Sequence, residues 1–381
     1  MPRIALTSLV RHAAVVEPSG FFRVVDLEER RVVSISALPE SAHRAVDPNP
    51  RGGRRGAKGI GVWRGRLVVA NAERLFVLDR DWTISAEITH PWFGGVHDIL
   101  CAADGVWVTC ADSELLAKAG WNGELLDVWS WREDDELVRT LGFRSLPRFE
   151  PELDYRDPLT AQTGVWNAVH LNGVANDGDE LLVSFGRIIS PGRVRKLRLK
   201  AAALRAERRL GFGLAAGSAH AVAKRRSRRI AAQLWPVERL GDCTAAVLRL
   251  AKNPPWRPRV LLRSKAGAGV PNHNLAREGE LLVYNDTNAG RLVGRDLATG
   301  NTTGVRIPGE PPFARGLAML SPGVFLVGSQ RPAAVHAVDL RERQLLWSLP
   351  IGGDELETVY ALAVVPDDFD DAPSTVFGAL R

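Results

Sequence analysis

One spacing constrains this chain more than any single residue does. His97 precedes Asp104 by the same step that separates His170 from Asp177, and Pro271 stands at that step before Glu278. The stretches GGVHDILCAADGVWVTC (94 to 110), NAVHLNGVANDGDELLVSF (167 to 185) and GVPNHNLAREGELLVYN (269 to 285) therefore align on their turns. FARGLAMLSPGVFLVGS (313 to 329) and TVYALAVVPDDFD (358 to 370) follow the same plan, with Arg315 and Tyr360 in the slot held by His97 and His170. KGIGVWRGRLVVANAERLFVLDRDW (58 to 82) is an earlier, degenerate copy. Where no insertion intervenes, copies start about 40 to 45 residues apart, the length of one four-stranded propeller blade. Short apolar strands alternate with Gly, Asn and Asp turns, and helical periodicity is almost absent from these sections.

The expected fold is all-β: a six-bladed β-propeller forming one domain over residues 1–381, with a count of seven left open. FFRVVDLEERRVVSIS (21 to 36) has no first strand of its own, so it is expected to supply outer strands to a closing blade whose first strand comes from 357 to 365. Such a join of the two termini removes the open sheet edges.

In a propeller the first strand of each blade lines the central channel, so the slot residues face one mouth. Period-two alternation puts Ile99, Asn172 and Leu317 on the same face as His97, His170 and Arg315. In the fourth copy the second position is His273. Thus His97, His170 and His273 come from three consecutive blades, with Arg315 and Tyr360 completing the ring. Three neutral imidazoles on rigid strands suit a divalent transition metal such as Fe, Mn, Zn or Ni. His90 or His43, in loops directed to the same mouth, is the candidate fourth ligand. Arg315 suits a carboxylate or phosphate oxygen, and Tyr360 a proton transfer. Asp98, Asn172, Asn272 and Asn274 are expected around the imidazoles, fixing tautomers or meeting substrate, with Asn172 the best placed by parity. Trp166 is a candidate pocket wall.

Two insertions fall on the same face. Residues 189–243 interrupt the third copy, and their Ala, Leu, Arg and Lys runs predict a helical cap over the histidine mouth. From Arg187 to Arg229 there are fourteen Lys or Arg and one acid, Glu207, whereas the whole chain has a net charge of +6. A mildly acidic propeller thus carries a basic flap, suited to an anionic substrate or an acidic protein partner. No nucleic-acid motif accompanies it, so nucleic acid is not expected. Residues 130–164 form the other long loop. Three cysteines make no disulfide framework and no CxxC pair, and no apolar run could cross a bilayer. The chain reads as cytoplasmic, with no membrane partner.

The plan of slot, apolar strand, turn and apolar strand resembles the bacterial six-bladed propellers that include gluconolactonase-like lactonases and strictosidine-synthase-like enzymes. Resemblance to that superfamily implies calcium held by acidic and amide ligands, from which the histidines here depart. The histidine-lined channel is more similar to those of carotenoid-cleaving oxygenases and streptogramin lyases. The leading expectation is a metal-dependent lyase, hydrolase, isomerase or oxygenase acting on a small polar or anionic molecule. The alternatives are a non-catalytic scaffold that recruits an acidic partner through the basic segment, and a calcium-dependent lactonase-like hydrolase.

Overall fold

The computed structural model describes residues 2–47, 54–144, 146, 148–158, 160, 167–190, 192–195, 199, 244–265 and 270–377. Trp166 and almost all of the expected cap at 189–243 lie outside these residues. Six four-stranded antiparallel sheets make up the fold. Five are built from consecutive strands, beginning with Ile60–Trp63, Val96–Ala102, Leu171–Asp177, His273–Glu278 and Arg315–Ser321. In the sixth, Glu357–Val365 pairs with Arg3–Val10, which is followed by Phe21–Asp26 and Arg31–Ala37. The six innermost strands touch one another in a closed cycle around a central channel. Each blade has one of them. The N-terminus therefore contributes three strands to the closing blade, one of them paired directly with the C-terminal strand.

Sequence patterns explain the layering. Second strands such as Gly105–Cys110 and Val324–Gly328 are sandwiched between neighbouring blades and read as nearly continuous apolar runs, interrupted only by Thr109, with both faces buried. Outermost strands such as Gln344–Pro350 are wetted on one face, and exposure there alternates residue by residue. Between the second and third blades, Trp129 and Trp131 pack on Phe185 at ring separations of 6.2 and 5.6 Å. These tryptophans are core residues. Past the closing strand, Phe377 sits edge-on to Phe22 and Phe76, pinning the chain end across the seam between the closing and first blades. The loop at 130–164 holds a short helix, Asp135–Thr140, capped by the Asp134 carboxylate accepting from Leu137 N at 2.8 Å. Among the described residues no helix is long and apolar enough to cross a membrane.

A buried ion pair spans the closure. Arg23 on the third strand of the closing blade reaches across the second to Glu357 on the first, with Nη2 to Oε2 at 3.1 Å, and Ser8 Oγ of the second strand also donates to this carboxylate. Both charged side chains are almost wholly buried. Removing one member strands the other charge in the interior, at a cost of about 3 to 5 kcal/mol. Glu357→Ala is therefore expected to lose that much stability in a urea titration, and Arg23→Met with Glu357→Leu to recover most of it.

Candidate functional site

The ring of slot residues is filled once per blade. Lys58 lies just before Ile60–Trp63, His97 in Val96–Ala102, His170 just before Leu171–Asp177, His273 and Arg315 open their strands, and Tyr360 lies in Glu357–Val365. The His97 and His170 rings meet edge-on at 4.7 Å, His170 and His273 at 6.3 Å, and His97 and Tyr360 at 6.0 Å. The Arg315 guanidinium carbon sits 3.4 Å from the Tyr360 ring centroid, and Lys58 Nζ sits 4.7 Å from it. Residues far apart in the sequence thus form one cluster. Lys58, which opens the degenerate first copy, fills the remaining slot, and the weakness of that copy leaves it without a repeat signal in the sequence.

Local backbone irregularity places these side chains. Strand register shifts between Val96 and Ile99, Leu171 and Gly173, His273 and Leu275, and Arg315 and Leu317. In the closing blade, Thr7 pairs with Ala361 and Ser8 with Val359, leaving Tyr360 as the extra residue. Such bulges re-aim a side chain. They also break period-two parity, which is why Asn172 does not share the face of His170. The Asn172 side chain instead accepts from Ser184 Oγ at 2.9 Å. His170 and Asn274 adopt positive φ at these kinks, and Gly316 does so at the position matching Asn274.

The expected second layer is corrected in the same way. Asp98 accepts from Val174 N at 3.3 Å and Asn274 from Gly316 N at 2.9 Å, each on the next blade's inner strand. Asn272 donates to Gly186 O at 2.9 Å. Asp98, Asn272 and Asn274 therefore stitch neighbouring blades together where tautomer control was expected. Each imidazole has another partner: His97 Nδ1 donates to Gly95 O at 2.8 Å, His170 Nδ1 meets Asn167 Oδ1 at 3.0 Å, and His273 Nδ1 meets Thr287 Oγ1 at 2.7 Å. With Nδ1 so engaged, Nε2 is the nitrogen left for chemistry. Asn167 is legible in retrospect as the first residue of the motif that carries His170. The segment before His170 is further held by the Glu114 carboxylate, which accepts from Val169 N at 2.7 Å while paired with buried Arg132.

His43 and His90 are not part of the ring. His43 Nδ1 pairs with Glu73 Oε2 at 3.0 Å, and His90 stacks edge-on to Trp92 at 4.8 Å.

Charge in the cluster is unusual. Burial, and then the neighbouring charges of His170, Arg315 and Lys58, hold His97 well below the ordinary imidazole range. His170 is lowered by burial followed by Arg187, Arg315 and Lys58, and His273 by burial followed by Arg315 and the other two imidazoles. All three are therefore neutral at pH 7. Lys58 is pushed down to about 7 by burial and then by Arg315. Burial raises Asp98 to about 7 and Tyr360 to about 12. Arg315 is only 7% exposed, and no acidic side chain pairs with it among the described residues.

The imidazoles are donors of the right kind for a transition metal, but their spacing is uneven. Among the described residues no group of three His, Cys, Asp or Glu is placed to hold a metal ion. On the hairpin side of the ring the channel continues as a cavity of about 360 Å³, lined by all six inner strands, including Ile60, Asp98, Val174, Asn274, Leu317 and Ala361.

No protein-family model matches the chain, and no curated protein matches its sequence. Among solved structures, a nidogen/laminin complex superimposes with a TM-score of 0.54 at 9% identity, covering 96% of this chain and 98% of the other. A protein of unknown function from Bacteroides caccae gives 0.53 at 10% identity, covering 96% and 100%. A streptogramin B lyase aligns at 0.43 with 10% identity, over 84% of this chain and 72% of that one. These likenesses concern the propeller fold.

Asp98 yields a pH prediction. Its carboxyl titrates near 7 when folded and at the ordinary carboxylate value when unfolded, so the unfolded state releases its proton first as pH rises. Stability from this group is fully present below about pH 4 and is lost as pH rises toward 7, by roughly 4 kcal/mol at most. Asp98→Asn is expected to flatten the stability profile between about pH 4 and 7, read by urea titrations at several pH values.

Proposed function

We propose that the chain is an enzyme whose axial ring binds a small anionic molecule and moves protons on it. The observation that carries this reading is Arg315, a buried guanidinium with no acidic partner among the described residues. A buried charge without a counter-ion is costly, and a ligand carboxylate or phosphate group offsets that cost. Lys58 adds to the positive field, and the Asp98 carboxyl beside the ring is raised to about 7 by burial.

Around that anion stand three neutral imidazoles, each with one nitrogen engaged. An unprotonated Nε2 accepts a proton and returns it, which is the work of a general acid–base pair in a lyase, isomerase or hydrolase. Tyr360, raised to about 12, stays protonated and donates rather than accepts.

A divalent transition metal on the three Nε2 atoms is a second reading, favoured by the shared engagement of Nδ1. It requires His273 to move toward the other two rings. Such an ion would supply Lewis-acid polarisation of the bound molecule.

Calorimetry with inorganic phosphate and with acetate tests the anion reading. Saturable binding is expected, weakened at least about ten-fold in Arg315→Gln and reduced by added salt. Absence of binding, or equal binding by the variant, overturns it. Elemental analysis of untagged protein separates the second reading: about one equivalent of Fe, Mn, Zn or Ni, lost in His97→Ala with His170→Ala, would establish the metal.

A further inference from the structure

Lys58 is held more tightly than a channel-lining lysine needs to be. Its N–H donates to Ala70 O at 2.7 Å, and its carbonyl accepts from Thr7 Oγ1 at 2.5 Å. Thr7 in turn accepts from Ala361 N at 3.1 Å, so the seam between the closing and first blades is sewn at this residue. The side chain is 2% exposed and carries Nζ to 4.7 Å from the Tyr360 ring centroid, the same ring on which Arg315 lies at 3.4 Å. Two basic heads on one buried aromatic ring cannot both keep a proton cheaply. Arginine does not give its proton up, so the lysine is the group that yields. Burial and Arg315 push Lys58 down, while Asp112 and Asp47 act the other way and more weakly, leaving the amine at about 7.

We propose that Lys58 is an amine nucleophile that forms an imine with the carbonyl carbon of a small oxo-acid whose acid group is held by Arg315. The proposal rests on the anion-holding role given to Arg315 above and requires no metal. A desolvated lysine beside a second cation is a recurrent way to make an amine reactive at neutral pH. The planar fork of a guanidinium selects the carboxylate. An oxo-acid carries an anion next to an electrophilic carbon, the pair of groups that a guanidinium and an amine meeting on one aromatic ring would take.

The step balances without a redox partner. The Nζ lone pair forms the new C–N bond while the carbonyl π pair moves to oxygen. An amine proton passes to an imidazole Nε2, with His97 next to the Tyr360 ring, and from there to that oxygen. The second amine hydrogen follows by the same route, the C–O bond breaks, and oxygen leaves as water. Amine and ketone give imine and water. Bond-making or bond-breaking next to the imine carbon then becomes accessible, which narrows the reaction class to aldol-type, decarboxylating or eliminating chemistry.

The test is reductive trapping. Wild-type protein is incubated with pyruvate or glyoxylate and sodium cyanoborohydride, and peptide mapping locates the adduct by mass spectrometry. The expected result is one adduct, on Lys58, absent from Lys58→Met protein whose melting temperature matches wild type. Should that variant fail to fold, the wild-type peptide map decides alone. No adduct, or one spread over surface lysines and unchanged in Lys58→Met, overturns the proposal. Because Arg315 also lowers the lysine's affinity for protons, Arg315→Gln should slow trapping by both carbonyls, but raise the concentration needed for half-trapping at least about ten-fold more for pyruvate than for uncharged propanal. Lys58 trapped by propanal, with pyruvate trapped no better and no more affected by Arg315→Gln than propanal is, would keep the amine and sink the anion site. Phosphate or acetate binding without any trapping would keep the anion site and sink the amine.

Discussion

Closure of the ring is the constraint on which the rest of the molecule depends. Six sheets that each bury both faces need neighbours on both sides, and the last neighbour is made by pairing Glu357–Val365 with Arg3–Val10. Arg23, Ser8 and Glu357 fasten that pairing from inside. Because the fastening is ionic and buried, it is specific: an alternative register would leave charge unpaired in a dry environment. Every other feature of the axis follows from it, since no two ring residues belong to the same blade.

The same closure sets the electrostatics of the channel. Drawing Lys58, Arg315 and three imidazoles onto one axis removes them from water together, and they then lower one another's affinity for protons. The imidazoles give up their charge, the lysine comes close to doing so, and the arginine keeps its own. A concentrated positive potential is left around Arg315, with which no carboxylate of the described residues pairs, beside imidazoles that are unprotonated at pH 7. The anion binding and proton movement proposed for the ring would both draw on that one desolvation.

Much of this was legible in the residues alone. The spacing from His97 to Asp104 and from His170 to Asp177 gave the repeat, the repeat gave the blade, and the blade put the imidazoles on the axis. Simple alternation failed at the kinks. A bulge adds one residue, so counting in twos moved Asn172 to the imidazole face, whereas it bonds to Ser184 within its own blade. Asp98 and Asn274 were recognised as polar residues near the ring, but their inter-blade bonds depend on a neighbouring strand that no local pattern describes. Lys58 escaped notice because its copy is the most degenerate, and the strand Arg3–Val10 because its partner is the far end of the chain.

The closing blade gives the pocket a history as well as a shape. A ribosome makes the chain from Lys58 to Arg315 before it makes Tyr360, and the Tyr360 ring is the surface on which both basic heads rest. Five blades can stack while translation continues. The axial cavity can exist only after the final strand docks onto one made at the start, so an interrupted chain carries all three histidines and yet holds no finished chamber.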